Sequence, residues 1–415
     1  MKPISISLTP NTEKDDVRLA LGLIFQPWKW KNGRAIGQIE EKLEQYLGVK
    51  HAISFNSGRT SLMAILSSLG LEKNSEVLLQ AFTCNAAANP MIWSGFKPVY
   101  IDCDENTFDI NIDDLKAKIS PQARVLMVQH TFGLPADMDE IRAICEQYKL
   151  ILIEDCAHSL GAEFKGKKTG TFGKASFFSF GRDKIISSVW GGVAVTNDDD
   201  LARRIKEFQN KIQNPSSFWI FQQLLHPVLM SYIILPLYNV IDLGKIFLVL
   251  SQWLGVLSKA VSWKEKRGEK PSHFPVRLPN ALAILALKQF DKLDRFYSHR
   301  KSISDFYYQQ LKNTSFILPK EFADRKNALL RFTVKHSKAH EIIYEAWHKQ
   351  NILVGDWYVT PIIPHDTDLK SIGYIMGMCP VAERLSKVTL NLPTHINISQ
   401  KDAEKIVGFL KKFDK

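Results

Sequence analysis

Ile-Leu-Ile-Glu-Asp-Cys-Ala-His (151–158) and Ser-Phe-Phe-Ser-Phe-Gly-Arg-Asp-Lys (176–184) are the stretches whose reading decides the fold. The first is an apolar run closing on acids. That is the pattern of a buried strand carrying Asp155 to the C-terminal edge of a sheet. The second predicts a short strand, Ala175 to Phe180, that delivers Ser179 and then Lys184 to the same edge. An acid, a hydroxyl and an amine so delivered suit pyridoxal phosphate. The amine forms a Schiff base, the acid pairs with the protonated pyridine nitrogen, and the hydroxyl binds phosphate. The competing reading is a salt-bridged aspartate and a surface lysine.

A third stretch supports the cofactor reading. His51 to Phe55 predicts a strand, Asn56-Ser57-Gly58 a tight turn, and Arg59 to Leu69 a helix closed by Gly70. A helix N-terminus behind a small-residue turn faces an anion with backbone N–H groups and the positive end of its dipole. Further strands are expected at Glu76–Gln80, Pro98–Asp102, Arg124–Gln129 and Leu150–Asp155. Helices with charged outer faces are expected at Met138–Tyr148 and Asp198–Gln209. The alternation implies an α/β fold with a mostly parallel central sheet.

Longer motifs carry a resemblance. Gly-Gln-Ile-Glu-Glu-Lys-Leu-Glu-Gln-Tyr-Leu-Gly-Val-Lys-His-Ala-Ile-Ser-Phe-Asn-Ser-Gly-Arg-Thr-Ser-Leu (37–62) is followed by Gln-His-Thr-Phe-Gly-Leu-Pro-Ala-Asp-Met-Asp (129–139) and Glu-Asp-Cys-Ala-His-Ser-Leu-Gly-Ala (154–162). Phe-Ser-Phe-Gly-Arg-Asp-Lys (178–184), Gly-Gly-Val-Ala-Val (191–195) and Asn-Leu-Pro-Thr-His (391–395) complete the set. In this order they resemble the DegT/DnrJ/EryC1/StrS family, pyridoxal-phosphate enzymes of aspartate-aminotransferase fold type (fold type I), mostly sugar aminotransferases.

The resemblance implies that Lys184 is the Schiff-base lysine and Asp155 the pyridinium partner. It puts His158 near the cofactor's phenolic oxygen and Ser179 on the phosphate, with backbone N–H groups from Gly58 and Arg59. Cys84 stands where many members place an aromatic ring that stacks on the cofactor. It also implies an amino-acid donor such as glutamate, a keto-sugar nucleotide acceptor, a role in polysaccharide or glycan biosynthesis, and a homodimer. Members that catalyse dehydration replace the lysine with histidine, and Lys184 argues against that branch. Two alternatives stay open: a catalytically altered protein of this fold acting as a membrane-associated regulatory or assembly partner, and an enzyme acting on a non-sugar or lipid-linked ketone.

Composition agrees with a large globular enzyme. The chain has 415 residues, 45% hydrophobic and 23% charged. Its net charge of +11 admits nucleic acid, an anionic membrane surface or nucleotide-bearing substrates. No nucleic-acid-binding signature accompanies the charge, so no nucleic-acid partner is expected. The five cysteines form no Cys-x-x-Cys pair and the histidines no ligand spacing, which implies reduced thiols and no metal site. Met1 to Pro10 lacks the apolar core of a signal peptide, so a cytoplasmic location is expected.

One region departs from the family pattern. Ile212 to Ile241 contains no Asp, Glu, Lys or Arg, and a second apolar run follows from Ile246 to Leu257. Basic residues flank both: Arg203, Arg204, Lys206 and Lys211 before, Lys259, Lys264, Lys266 and Arg267 after. The first run is long enough to span a bilayer, but its prolines and polar residues favour a hairpin lying in the interface of the membrane's inner face. The other reading is a pair of helices buried at a dimer interface. Beyond 212–258, the family's Asn-x-Arg motif is broken in Phe-Pro-Val-Arg-Leu-Pro-Asn (274–280), leaving Arg277 and Asn280 as candidate replacements. A long helix from Pro279 is expected to link a large domain (1–275) to a small C-terminal α/β domain (276–415).

Overall fold

The computed structural model describes residues 2–414. Seven strands build the main sheet: β1 (His51–Phe55), β2 (Glu76–Gln80), β3 (Lys97–Ile101), β4 (Ala123–Gln129), β5 (Ile151–Asp155), β6 (Ala175–Ser179) and β7 (Gly192–Thr196). Their spatial order is β1-β7-β6-β5-β4-β2-β3. All neighbours are parallel except β7, which runs antiparallel to both β6 and β1. Val77, Leu78, Val125, Leu126 and Ile153 are fully buried, as strands covered by helices on both faces require.

Helices α2 (Gly58–Ser68) and α3 (Asp199–Lys211) pack on this sheet, whereas α1 (Lys14–Ile24) packs on α4 (Ser217–Leu229), the first helix of the insertion, which ends in α5 (Leu243–Trp253). The expected long helix is two, α6 (Asn280–Phe290) and α7 (Leu293–Leu311). The division falls at Lys292, where φ is −101° and ψ 0°, and its ammonium sits 2.6 Å from Asp15, 2.9 Å from Asp16 and 3.2 Å from Glu13, all in the N-terminal segment.

The C-terminal part has its own core, in which Tyr307, Val334, Leu390 and Ile406 are fully buried. Its strands β8 (Arg331–Lys335) and β9 (Thr389–Pro393) pair antiparallel. The N-terminal Ile4–Ser5 pairs with Ile352–Leu353, and Ile362–Ile363 pairs with Thr83–Cys84. These two pairings stitch the two parts together.

The two apolar runs of the insertion have different fates. The stretch Ser217–Leu237 is long and apolar enough to cross a membrane, yet half of it is buried inside the protein. Within it Trp219, Ile220 and Leu224 join the core cluster that contains residues of α1 and α6. The second run, α5, has apolar side chains facing solvent: Leu243, Ile246, Val249, Leu250 and Leu254, with Trp253 79% exposed. Gly244 lets α5 approach the end of the first run, where a Cβ would stand 2.2 Å from the Ile234 carbonyl oxygen.

Candidate active site

Strand alternation explains the site. Glu154 and Asp155 are adjacent on β5 and point to opposite faces of the sheet. Glu154 faces away from the cavity and accepts backbone N–H bonds from Gly170, Phe172 and Gly173, each at 2.7 Å, as well as pairing with His130 at 3.1 Å. It thus fixes the turn that leads into β6. Asp155 faces a cavity of about 260 Å³ at the C-terminal ends of β5 and β6.

The same cavity is lined by Gly58, Arg59, Cys84, His158, Ser179 and Lys184. All seven candidate residues therefore meet at one place, although they come from separate strands, a helix N-terminus and loops.

Each group is perturbed by its setting. Burial raises the Asp155 carboxyl above its ordinary range, against the opposing effects of the Ala157 N–H at 2.9 Å, Lys184 and His130. Among the described residues no cation stands within ion-pair distance of it. Burial lowers the Lys184 amine, with Arg331 adding to the effect and Asp183, Cys84 and Asp155 opposing. Its Nζ lies 4.7 Å from the centre of the Trp357 ring. His158 is held well below the ordinary histidine value by burial, then by Lys184 and Arg331, so its ring is neutral. The Phe132 N–H donates to His158 Nδ1 at 3.3 Å, which leaves the proton on Nε2.

At the other end of the cavity, Ser57 caps α2 by accepting the Thr60 N–H. A Cβ on Gly58 would stand 3.2 Å from Ser179 Cβ, and one on Gly192 would stand 2.3 Å from the Gly58 nitrogen. These glycines keep the backbone close and bare, and the helix N-terminus opens as an anion cradle. The unpaired buried carboxylate at one end and the cradle at the other fit pyridoxal phosphate: a protonated ring nitrogen satisfies the first, a phosphate the second.

Several neighbours escaped the sequence reading. Trp357 and Tyr358 wall the cavity from the C-terminal part. Trp357 stacks on His158 with 5.0 Å between ring centres, and the Arg331 guanidinium lies 3.4 Å over it. Asn11 donates to the Lys184 and Ile185 carbonyls and pins the lysine loop from the N-terminal segment. The Arg59 side chain pairs with Glu265 and covers Trp190. Arg277 caps α3 through the Gln209, Asn210 and Ile212 carbonyls, and Asn280 binds Ala35 and Lys29. Neither lines the cavity of its own chain.

The sequence pattern of the DegT/DnrJ/EryC1/StrS aminotransferase family matches residues 12–220 and 252–411. GDP-perosamine synthase of Caulobacter vibrioides is 33% identical over 413 residues, 97% of this chain and 96% of that protein. UDP-N-acetyl-3-dehydro-alpha-D-glucosamine 3-aminotransferase of Acidithiobacillus ferrooxidans is 25% identical over 96% of this chain and 94% of its own. The structure of Helicobacter pylori PseC, an aminotransferase involved in the biosynthesis of pseudoaminic acid, superposes with a TM-score of 0.76 at 21% identity. It covers 100% of this chain and 99% of its own, and shows the shared fold. The chain belongs to the DegT/DnrJ/EryC1/StrS aminotransferase family, which matches both sides of the insertion but not its middle.

Proposed function

We propose that this aminotransferase moves an amino group from an amino acid, glutamate by family resemblance, to a keto-sugar carried on a nucleotide, for polysaccharide or glycan biosynthesis. The observation that carries the reading is the pair of Lys184 and Asp155 in one cavity, an amine lowered and a carboxyl raised by burial. The family's aminotransferases use pyridoxal 5'-phosphate. When bound, that cofactor supplies an electron-withdrawing ring that spreads the charge left on the amino-acid carbon.

The chain's own groups then divide the work. Asp155 holds a proton on the ring nitrogen. Lys184 Nζ, its basicity lowered by burial, takes the proton from the donor α-carbon and returns one to the acceptor carbon. His158, its Nδ1 occupied by the Phe132 N–H, would offer its Nε2–H to the cofactor's phenolic oxygen. Gly58, Arg59 and Ser179 hold the phosphate, while Trp357 and Tyr358 keep water from the reacting face. Cys84 would stand beside the bound cofactor, and the wall at Trp357 would supply an aromatic surface the cysteine lacks.

The test is a panel of nucleotide-linked 4-keto and 3-keto hexoses incubated with glutamate. Amino-sugar formation with at least one is expected. Failure with all, together with turnover of a non-sugar ketone, overturns the sugar reading. Borohydride reduction in the presence of pyridoxal phosphate is expected to fix the cofactor to Lys184. A homodimer with two cavities near the subunit contact follows from the family resemblance, and a fully active monomer by light scattering overturns it.

For the insertion, the same reading puts α5 on the inner face of an anionic membrane. Its exposed stripe carries Trp253, with Trp263 exposed beyond it, and exposed Lys259, Lys264 and Arg267 lie nearby. At roughly 25 cal/mol per Å², covering part of this stripe favours docking by several kcal/mol. Retention on phosphatidylserine vesicles is the expected result. Release of folded protein by high salt without detergent, with dimers that break up on α5 substitution, assigns the stripe to a second copy of the chain.

A further inference from the structure

Arg182 is a cation without an acid. It lines the cavity between Ser179 and Lys184. Its neighbour Asp183 turns toward Arg331 at 3.4 Å, and among the described residues no carboxylate stands within ion-pair distance of Arg182. Among the described residues one hydrogen bond holds the guanidinium: Nη2 donates to Ser258 Oγ at 2.7 Å. Its Nε is buried without a partner. A guanidinium has five N–H donors, and leaving them unmet in a partly desolvated place is unfavourable.

Position says which anion the charge awaits. Gly181, just before Arg182, donates its N–H to Ser179 Oγ at 3.3 Å, and Ser179 packs against the start of α2. Arg182 is close enough to Arg59, in the first turn of α2, for the two charges to repel. Burial, with that repulsion added and Asp183 opposing, lowers the Arg182 guanidinium to about 10. Arg59 is already neutralised by Glu265, so at this end of the cavity Arg182 is the charge left over. The cradle made by Ser57, Gly58 and Ser179 offers neutral donors only. A dianionic phosphate seated there meets one unspent cation.

We propose that Arg182 binds the phosphate of the cofactor, and that Ser258, from the end of the insertion, is the positioning residue that holds Arg182 in place. This rests on the cofactor reading given above. Ser258 accepts from Arg182 and donates to Gln223 Oε1 of α4 at 2.9 Å. Ala260 and Val261, two and three residues further on, line the same cavity. The chain that leaves α5 therefore returns to the cofactor site of its own subunit. The insertion, whose middle the family pattern does not match, props a charge that the neutral cradle lacks.

The experiment compares pyridoxal 5'-phosphate with pyridoxal, which lacks the phosphate, on the full chain freed of cofactor, by visible absorption titration. Wild type should prefer the phosphorylated compound. Arg182→Gln should weaken pyridoxal 5'-phosphate by about tenfold to a hundredfold and leave pyridoxal unchanged. Ser258→Ala should weaken it by about threefold to tenfold with the same selectivity, and Arg182→Lys should recover part of the loss. An Arg182→Gln chain that keeps the wild-type preference, or that loses both compounds alike, overturns the proposal. A wild-type chain that binds neither compound overturns the cofactor reading instead. Unchanged circular dichroism and melting temperature confirm that each variant is folded.

Discussion

The cavity and helix α5 break the burial rule in opposite directions. Around the cavity, charged and titratable groups lie inside: Asp155, Lys184, His158 and Arg331 are perturbed chiefly by burial. On α5 the apolar side chains lie outside, with Val249 64% and Trp253 79% exposed. Neither arrangement serves folding. Buried charge is unfavourable unless matched, and a stripe of exposed apolar surface invites association. Both places thus mark where the chain expects something else to complete it: a small charged molecule in one, an apolar surface in the other.

The largest effect should come from emptying the cavity of its reactive groups. Lys184→Ala is expected to lower steady-state turnover by at least about ten-thousandfold, and Asp155→Ala by about a hundredfold to a thousandfold. Melting of the cofactor-free chain should stay level or rise in Asp155→Ala, because an unmatched buried carboxylate is removed. Retained turnover in the lysine variant breaks the comparison at its first term.

The next effect belongs to α5. Replacing Ile246, Leu250 and Trp253 with Glu together should abolish retention on phosphatidylserine vesicles while leaving pyridoxal 5'-phosphate binding and melting temperature unchanged. A fall in melting temperature of more than a few degrees shows instead that the stripe is packed within the folded protein.

A smaller effect separates the two apolar runs. Leu224, on α4, has no exposed surface. Leu224→Ala should destabilise by about 2–5 kcal/mol in urea unfolding. Leu250→Ala, on α5, should stay within about 0.5 kcal/mol. Equal values erase the distinction.

The smallest effect is acid sensitivity. Burial holds the His273 ring down to about 4 and the His395 ring down to about 3, with Arg59 adding at His273 and Arg300 at His395; Glu265 opposes at His273 and the Ser5 carbonyl at His395. Each folded value lies below the unfolded one, so the unfolded chain binds more protons between them. Stability present above about pH 6.5 is lost as pH falls toward 4 and then 3. His395→Asn should flatten the fall of the urea midpoint between pH 6.5 and 4 relative to wild type. An unchanged slope shows that other groups carry it.

Much of this was legible beforehand for a local reason. Buried parallel strands are short apolar runs, and β1, β2, β4, β5 and β6 all appear within a residue or two of the expected places. A group at the end of such a strand must lie at the sheet edge, so Asp155 and Ser179 could be placed near each other from pattern alone. The break between α6 and α7 was illegible, because it falls where Lys292 meets three acids of the N-terminal segment. Trp357 was missed for the same kind of reason. Gly-Asp-Trp-Tyr (355–358) has no periodic signal, and its ring lies by Lys184 beside a pairing of distant segments, Ile362–Ile363 with Thr83–Cys84.

Sequence by itself determined the strand order along the chain, the family and seven of the residues that line one cavity, since each is written in a contiguous run or motif. Tertiary structure alone decided that Arg59 is neutralised by Glu265, that Arg182 is not neutralised, and that α4 is covered while α5 is bare. An apolar run records its own composition but not its neighbours, and a charge records its own sign but not its partner. Both are settled by which distant segments the fold brings alongside, as when Arg59 meets a glutamate more than two hundred residues away.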